Sequence, residues 1–386
     1  MFEHHSINFE ALTSRAFNLR WATVEEGVIP LTAADPDFPC SPLITEAIAE
    51  YIKPGYLNYG PAEGLPSFKQ ALQDFFAEKR NYHLPFDQIL PVDSAAFGIQ
   101  VVCNALLQPG DEAIIFDPVD FLFQYCIEQA QGIPIRFPIP PNAGYVDFNE
   151  LEALITPRTK LICLCNPLNP TGKVFSKSEL TTLGELAIKH NVVVLADEIW
   201  SDIVFSPHTF TSLGSLSPEI STHTITVTGF SKSYALAGLR IGVLATGNKD
   251  LFTKVFTASK HTFTVHGANV LGQVAGTAAL TMAQPWLNDF VAHLDAMSTL
   301  VTHRINNMKG LSAQAPEGCF VSFINIKETG FTAETFQQHL LNEAKVLVVP
   351  GLTRWFGPGA EGHVRISFAS SEVLLTEALN RIESAL

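Results

Sequence analysis

Short, uniformly apolar runs closed by Gly, Asp or Asn recur through the middle of the chain, at 112–117, 160–166, 191–197, 224–229 and 241–246. Segments of helical period separate most of them, 178–190 among these, and the pattern reads as strands alternating with helices. Strands apolar at successive positions are buried on both faces, so a mostly parallel, doubly wound α/β sheet is expected. Upstream, residues 1–30 read as an arm with a short helix. A helix is expected over 41–52, with Ser41 as its cap and Pro42 in its first turn, and another over about 67–80. Asp93 or Ser94 caps a helix of small residues that ends at Pro109-Gly110. Beyond residue 250 helices dominate to about 309, and strands at 319–326, 345–349 and 363–368 then alternate with helices. That α+β character predicts a second, smaller domain. The expected division is a large domain over 45–275 and a small one from 1–44 plus 276–386.

With 386 residues, two domains are the natural expectation. A net charge of −14 argues against a nucleic-acid partner. No apolar run reaches membrane-spanning length, and the polar, acidic N-terminus does not resemble a secretory signal, so a cytoplasmic protein is expected. The six cysteines sit mostly in apolar stretches and read as reduced core thiols. Cys163 and Cys165 alternate along a strand, the wrong spacing for zinc, and no metal site is expected.

Candidate chemistry gathers at the strand ends, where open α/β sheets bind ligands. Ser231 and Lys232 follow the 224–229 run; an amine in apolar surroundings has its charged form disfavoured and becomes a nucleophile able to form a Schiff base. Arg240 follows and offers a fixed charge to a phosphate. Ala95 and Ala96 open a helix, where small side chains let a phosphate approach free N–H groups. Asp197 ends another strand, and a buried carboxylate there requires a polar partner. Asn-Pro-Leu-Asn-Pro-Thr-Gly (166–172) holds two Asn-Pro bonds that either isomer could occupy.

The motifs Leu-Thr-Ala-Ala-Asp-Pro-Asp-Phe (31–38), Asn-Tyr-Gly-Pro (58–61), Leu-Gln-Pro-Gly-Asp-Glu (107–112), the 166–172 segment, Ala-Asp-Glu-Ile-Trp (196–200), Ser-Lys (231–232) with Gly-Leu-Arg (238–240), and Glu-Gly-His-Val-Arg-Ile-Ser-Phe-Ala (361–369) occur in order. In these the chain resembles the fold-type I pyridoxal-phosphate enzymes, specifically the class I/II aminotransferase superfamily, along its whole length. The resemblance implies an aspartate-aminotransferase-like fold and pyridoxal 5′-phosphate as cofactor. It makes Lys232 the Schiff-base lysine, Asp197 the partner of the pyridine nitrogen and Asn169 the partner of the ring hydroxyl. Ser231, Arg240 and the N–H groups of Ala95 and Ala96 correspond to the phosphate cup. Arg365 corresponds to the arginine on the substrate α-carboxylate. Tyr59 corresponds to a tyrosine reaching the phosphate of the neighbouring subunit, which implies a homodimer with a shared site.

Several positions depart from the family pattern. Gly229 replaces a serine or threonine, Trp200 a tyrosine, and Ala34 a glycine near the substrate. The aromatic expected on the cofactor ring falls at Asp120 counted from Pro118 and at Phe121 counted back from Gly132; Phe121 is favoured as the better ring face. The expected function is transfer of an amino group between an L-amino acid and a 2-oxo acid. The alternative is a carbon–sulfur β-lyase, whose branch residues 20–38 resemble. A non-catalytic regulatory protein of the same fold is a third reading, and it lacks the expected basic N-terminal domain. Phe and Trp near the site point to an apolar or aromatic substrate side chain. Arg354 is the one candidate for a second carboxylate, with a place on the loop rim as the plainer reading.

Overall fold

All five apolar runs form strands of one sheet, with nearly every side chain buried. In the computed structural model, which describes residues 2–386, this sheet has seven strands. Their order is Ile89–Val92, Gly242–Thr246, Thr224–Gly229, Val193–Asp197, Thr159–Cys165, Glu112–Asp117 and Ile133–Pro138. Gly242–Thr246 runs against its neighbours, and the remaining strands share one direction. The two strands that the apolar pattern did not predict, Ile89–Val92 and Ile133–Pro138, are the sheet's edges. Each contains proline, which cannot donate to a ladder and is tolerated where one side of the strand needs no partner.

Local chemistry sets the helix boundaries. Helix Lys177–His190 starts with a capping box between Ser176 and Glu179 and ends at Asn191 in the left-handed region. Helix Ala95–Leu106 is capped by Ser94, whose side chain accepts the N–H of Phe97. It lies on the sheet so closely that a Cβ at Gly98 would stand 3.3 Å from Leu244. Helix Pro42–Ile52 begins as expected with Pro42 in its first turn, but the buried Ser41 side chain makes no capping hydrogen bond.

A second sheet of four antiparallel strands, Val349–Pro350, His363–Ser367, Val321–Asn325 and Ser312–Ala313, carries the C-terminal part. The run expected as one strand at 345–349 is divided between two sheets. Val346–Leu347 pairs in parallel with Ile29–Pro30, whereas Val349–Pro350 joins His363–Ser367. That pairing ties the N-terminal segment to the C-terminal region beside Arg365. One continuous apolar core runs from Phe2 to Ile382. The parallel strands Thr224–Gly229, Val193–Asp197, Thr159–Cys165 and Glu112–Asp117 are successive neighbours, so the loops leaving their carboxyl ends open side by side.

Candidate active site

Lys232 sits just past the end of Thr224–Gly229. Its Nζ donates to Ala34 O at 2.6 Å and lies 5.4 Å from the Trp200 ring centroid. Burial holds its amine below the ordinary lysine range, with Asp35 opposing. A Cβ at Gly229 would approach Ile199 Cδ1 at 3.0 Å and Ile241 O at 3.1 Å. Those close neighbours give a packing reason for the glycine at that strand end.

On the adjacent strand, Asp197 is buried and accepts the Ile199 N–H at 3.1 Å. It forms no ion pair with any described residue. Burial pushes its carboxyl up to about 7; the hydrogen bond and Lys232 oppose this, and Asp120 adds to it. One strand further, both Asn-Pro bonds of the 166–172 loop are cis. Asn169 Oδ1 accepts from Arg365 Nη1 at 3.0 Å. Arg365 is buried on His363–Ser367, donates from Nη2 to Thr32 O at 3.1 Å, and lies 5.2 Å from the Phe356 ring. Its Nε has no partner among the described residues.

Backbone donors form the opposite end. The N–H groups of Ala95 and Ala96 have no partner among the described residues, and Arg240 Nη2 donates to Ser94 Oγ at 2.9 Å. Asn269 Nδ2 holds the Arg240 turn by donating to Leu239 O at 2.8 Å and Arg240 O at 3.1 Å. A Cβ at Gly242 would fall 2.4 Å from Ala95 N and Ser94 C, so the reversed strand passes against the helix start and only glycine fits.

These elements enclose a cavity of about 460 Å³. Of the residues singled out in the sequence, Ala34, Ala95, Ala96, Phe121, Asn169, Asp197, Trp200, Ser231, Lys232, Arg240 and Arg365 line it. Tyr59 does not. It is 86% exposed, rests against His266 at 5.0 Å between ring centroids, and lines a separate cleft with Asp93 and Asn269. A larger cleft of about 890 Å³ beside the N-terminal arm brings none of these groups together.

Asp120 lines the cavity as well as Phe121. Asp120 Oδ2 accepts from Asn169 Nδ2 at 3.0 Å, and Oδ1 accepts the Leu122 N–H at 3.2 Å. Phe121 is 41% exposed and sets its ring edge against Trp355. Leu19 and Trp355 are further lining residues without any local mark in the sequence. Arg354 is exposed beside Glu334, outside the cavity.

A family model described as aminotransferase class I and II matches residues 26–382. The chain belongs to this family. Aspartate aminotransferase of Pyrococcus horikoshii is 30% identical to this aminotransferase over 370 residues, 95% of this chain and 92% of its own. A pyridoxal-phosphate-bound protein of Clostridium difficile 630, assigned as an aminotransferase, superposes with a TM-score of 0.90 at 26% identity, covering 97% of each chain. Cystalysin of Treponema denticola, whose structure contains pyridoxal 5′-phosphate, gives a TM-score of 0.91 over 100% of this chain and 98% of its own. At 23% identity that likeness is one of fold.

Proposed function

We propose that this aminotransferase carries pyridoxal 5′-phosphate at Lys232 and moves an amino group between an L-amino acid and a 2-oxo acid. The observation that carries the reading is Asp197. It is a buried carboxylate raised to about 7 and, among the described residues, has no cation paired to it and shares a cavity with a half-buried amine and an unpaired helix start. The residues fit the cofactor. Lys232 would hold it through Nζ, Asp197 would face its ring nitrogen, and Asn169 its ring hydroxyl. Trp200 and Phe121 would wall the ring. Ser231, Arg240 and the N–H groups of Ala95 and Ala96 would take the phosphate. When bound, pyridoxal phosphate supplies an electron sink for the pair left at the substrate Cα.

Arg365 grips the substrate α-carboxylate with its fork of donors, already steadied by Asn169 and Thr32. Ala34 borders the substrate beside Lys232. Lys232 Nζ, released from the cofactor when the substrate amine takes its place there and held toward its neutral form by burial, would then take the proton from Cα. Asn169 links Arg365 to Asp120, because its Oδ1 accepts from Arg365 while its Nδ2 donates to Asp120 Oδ2.

A homodimer with shared sites belongs to the same proposal. Tyr59, Tyr56, Leu57 and Phe263 are all strongly exposed, and Tyr59 lies in the same cleft as Asp93, next to the phosphate end. So does the division into a large domain over 45–275 and a small one from 1–44 plus 276–386, supported by the separation of the seven-stranded sheet from the four-stranded one. A cytoplasmic location is supported by six free thiols. No helix among the described residues is long and apolar enough to cross a membrane.

Borohydride reduction of the yellow protein followed by peptide mapping should place the cofactor on Lys232. Leucine or phenylalanine with a 2-oxo acid should show ping-pong kinetics and release the matching oxo acid. A label on another lysine, or only pyruvate and ammonia from cysteine conjugates, would defeat the proposal.

A further inference from the structure

Asp120 is the charged group of the cavity that the proposed reaction leaves without a task. Among the described lining residues, Lys232, Arg240 and Arg365 are cations, and Asp120 and Asp197 are carboxylates. Each cation is committed: Lys232 to the cofactor, Arg240 to the phosphate end beside Ser94, and Arg365 to the α-carboxylate. Asp197 faces the ring nitrogen, and Asp120 remains.

It is firmly held. Its carboxylate accepts from Leu122 N–H at 3.2 Å and Asn169 Nδ2 at 3.0 Å, and its own N–H donates to Asn169 O at 3.2 Å. Asn169 Oδ1 accepts from Arg365 Nη1 at 3.0 Å. One amide side chain therefore separates the Asp120 carboxylate from the guanidinium, and a substrate seated on Arg365 lies in its field. Nearby, the wall is apolar, built from Leu19, Phe121, Val349 and Trp355, and offers no charge to offset that field.

We infer that Asp120 is a specificity-determining residue that turns away substrates with a second carboxylate and reserves the site for amino acids with one carboxylate and an apolar side chain. The inference rests on the proposed role of Arg365. An aspartate or glutamate side chain would need a further cation and would meet a fixed anion instead, and like-charge contact discriminates strongly between ligands. Arg354 does not answer that need, since it is exposed 3.7 Å from Glu334 and outside the cavity.

Calorimetric titration of the full-length, cofactor-loaded protein with 4-methylpentanoate and with succinate tests this directly. Wild-type protein should bind the monocarboxylate at least about ten-fold more tightly, and Asp120→Asn should shift the ratio about ten-fold toward succinate. Asp120→Ser, which also removes the charge, should move it in the same direction. The ratio of kcat/KM for aspartate to that for leucine should rise in parallel. Succinate binding as tight as 4-methylpentanoate in the wild type, or a ratio unmoved in both variants, overturns the inference. Either result leaves standing the aminotransferase activity itself, which is read separately from leucine turnover by the wild type.

Discussion

Replacing Asp197 by Asn should stabilise the cofactor-free protein at alkaline pH while sharply lowering its activity. The carboxyl is buried, has one backbone donor and no ion pair among the described residues, and burial raises it from 3.8 to about 7. That displacement corresponds to about 4 kcal/mol at about 1.36 kcal/mol per pH unit. Native Asp197 keeps a proton that the unfolded chain releases between about pH 4 and pH 7, so stability falls across that window as pH rises. At pH 8 the full penalty applies. Asn keeps the shape and carries no charge. With 386 residues, an unfolding entropy of about 2.1 cal/mol/K per residue totals about 0.8 kcal/mol/K, so 4 kcal/mol is about 5 °C. From pH 5 to pH 8 the advantage of the variant should widen by about 3 kcal/mol, or about 4 °C. Neighbouring Glu198, also raised to about 7, is present in both proteins, and because Asp197 is the smallest contributor to its shift its effect largely cancels. Scanning fluorimetry of both cofactor-free proteins at the two pH values measures this. Equal melting temperatures at pH 8, or a gap that does not change with pH, would refute the reasoning. Loaded with cofactor, the variant should lose about a hundred-fold or more in kcat/KM, because the ring nitrogen loses its counter-charge.

Three further outcomes follow from the same geometry. Gly242→Ala drives a Cβ to 2.4 Å from Ala95 N and should lower stability by about 3 kcal/mol and loosen cofactor binding, both readable by thermal shift with and without cofactor. Arg365→Lys keeps the charge but not the fork that meets Asn169 and Thr32; it should cut kcat/KM about a hundred-fold chiefly through KM, and an unchanged KM would contradict the assigned role. If Tyr59 completes a neighbour's site, mixing inactive Tyr59→Phe and Lys232→Ala chains should restore activity to one site of each hybrid dimer; should Tyr59→Phe be impaired and the hybrids stay dead, the shared-site proposal fails.

Burial on both sheet faces writes itself into sequence as unbroken apolar runs, which is why the five inner strands were legible. The edge strands were not, because Pro91, Pro134 and Pro138 carry the signature of turns and are tolerated only for want of a neighbour. The 345–349 run reads as one strand because apolar pattern reports burial and not partner; Val346–Leu347 and Val349–Pro350 are both buried or half-buried yet belong to different sheets. At the site, Lys232, Asp197 and Asn169 stand at strand ends with marked neighbours and could be named in advance. Asp120 could be weighed against Phe121 but not given its place, since its hold on Asn169 comes from a loop 49 positions away. Leu19 and Trp355 reach the cavity only through the tertiary pairing of chain segments that carry no local sign of it.

The pairing of Ile29–Pro30 with Val346–Leu347 has a consequence for the order in which the molecule comes into being. Thr32 O and Ala34 O, two residues apart on one short segment, receive the hydrogen bonds of Arg365 and Lys232. A ribosome makes the strand partner of that segment more than three hundred residues after the segment itself. At about 5–20 residues per second, those backbone carbonyls wait for some tens of seconds while the central sheet between them is completed. Both cations of the substrate site therefore lock in one late event, when residues 346–367 arrive and residues 29–34 are finally given something to hold.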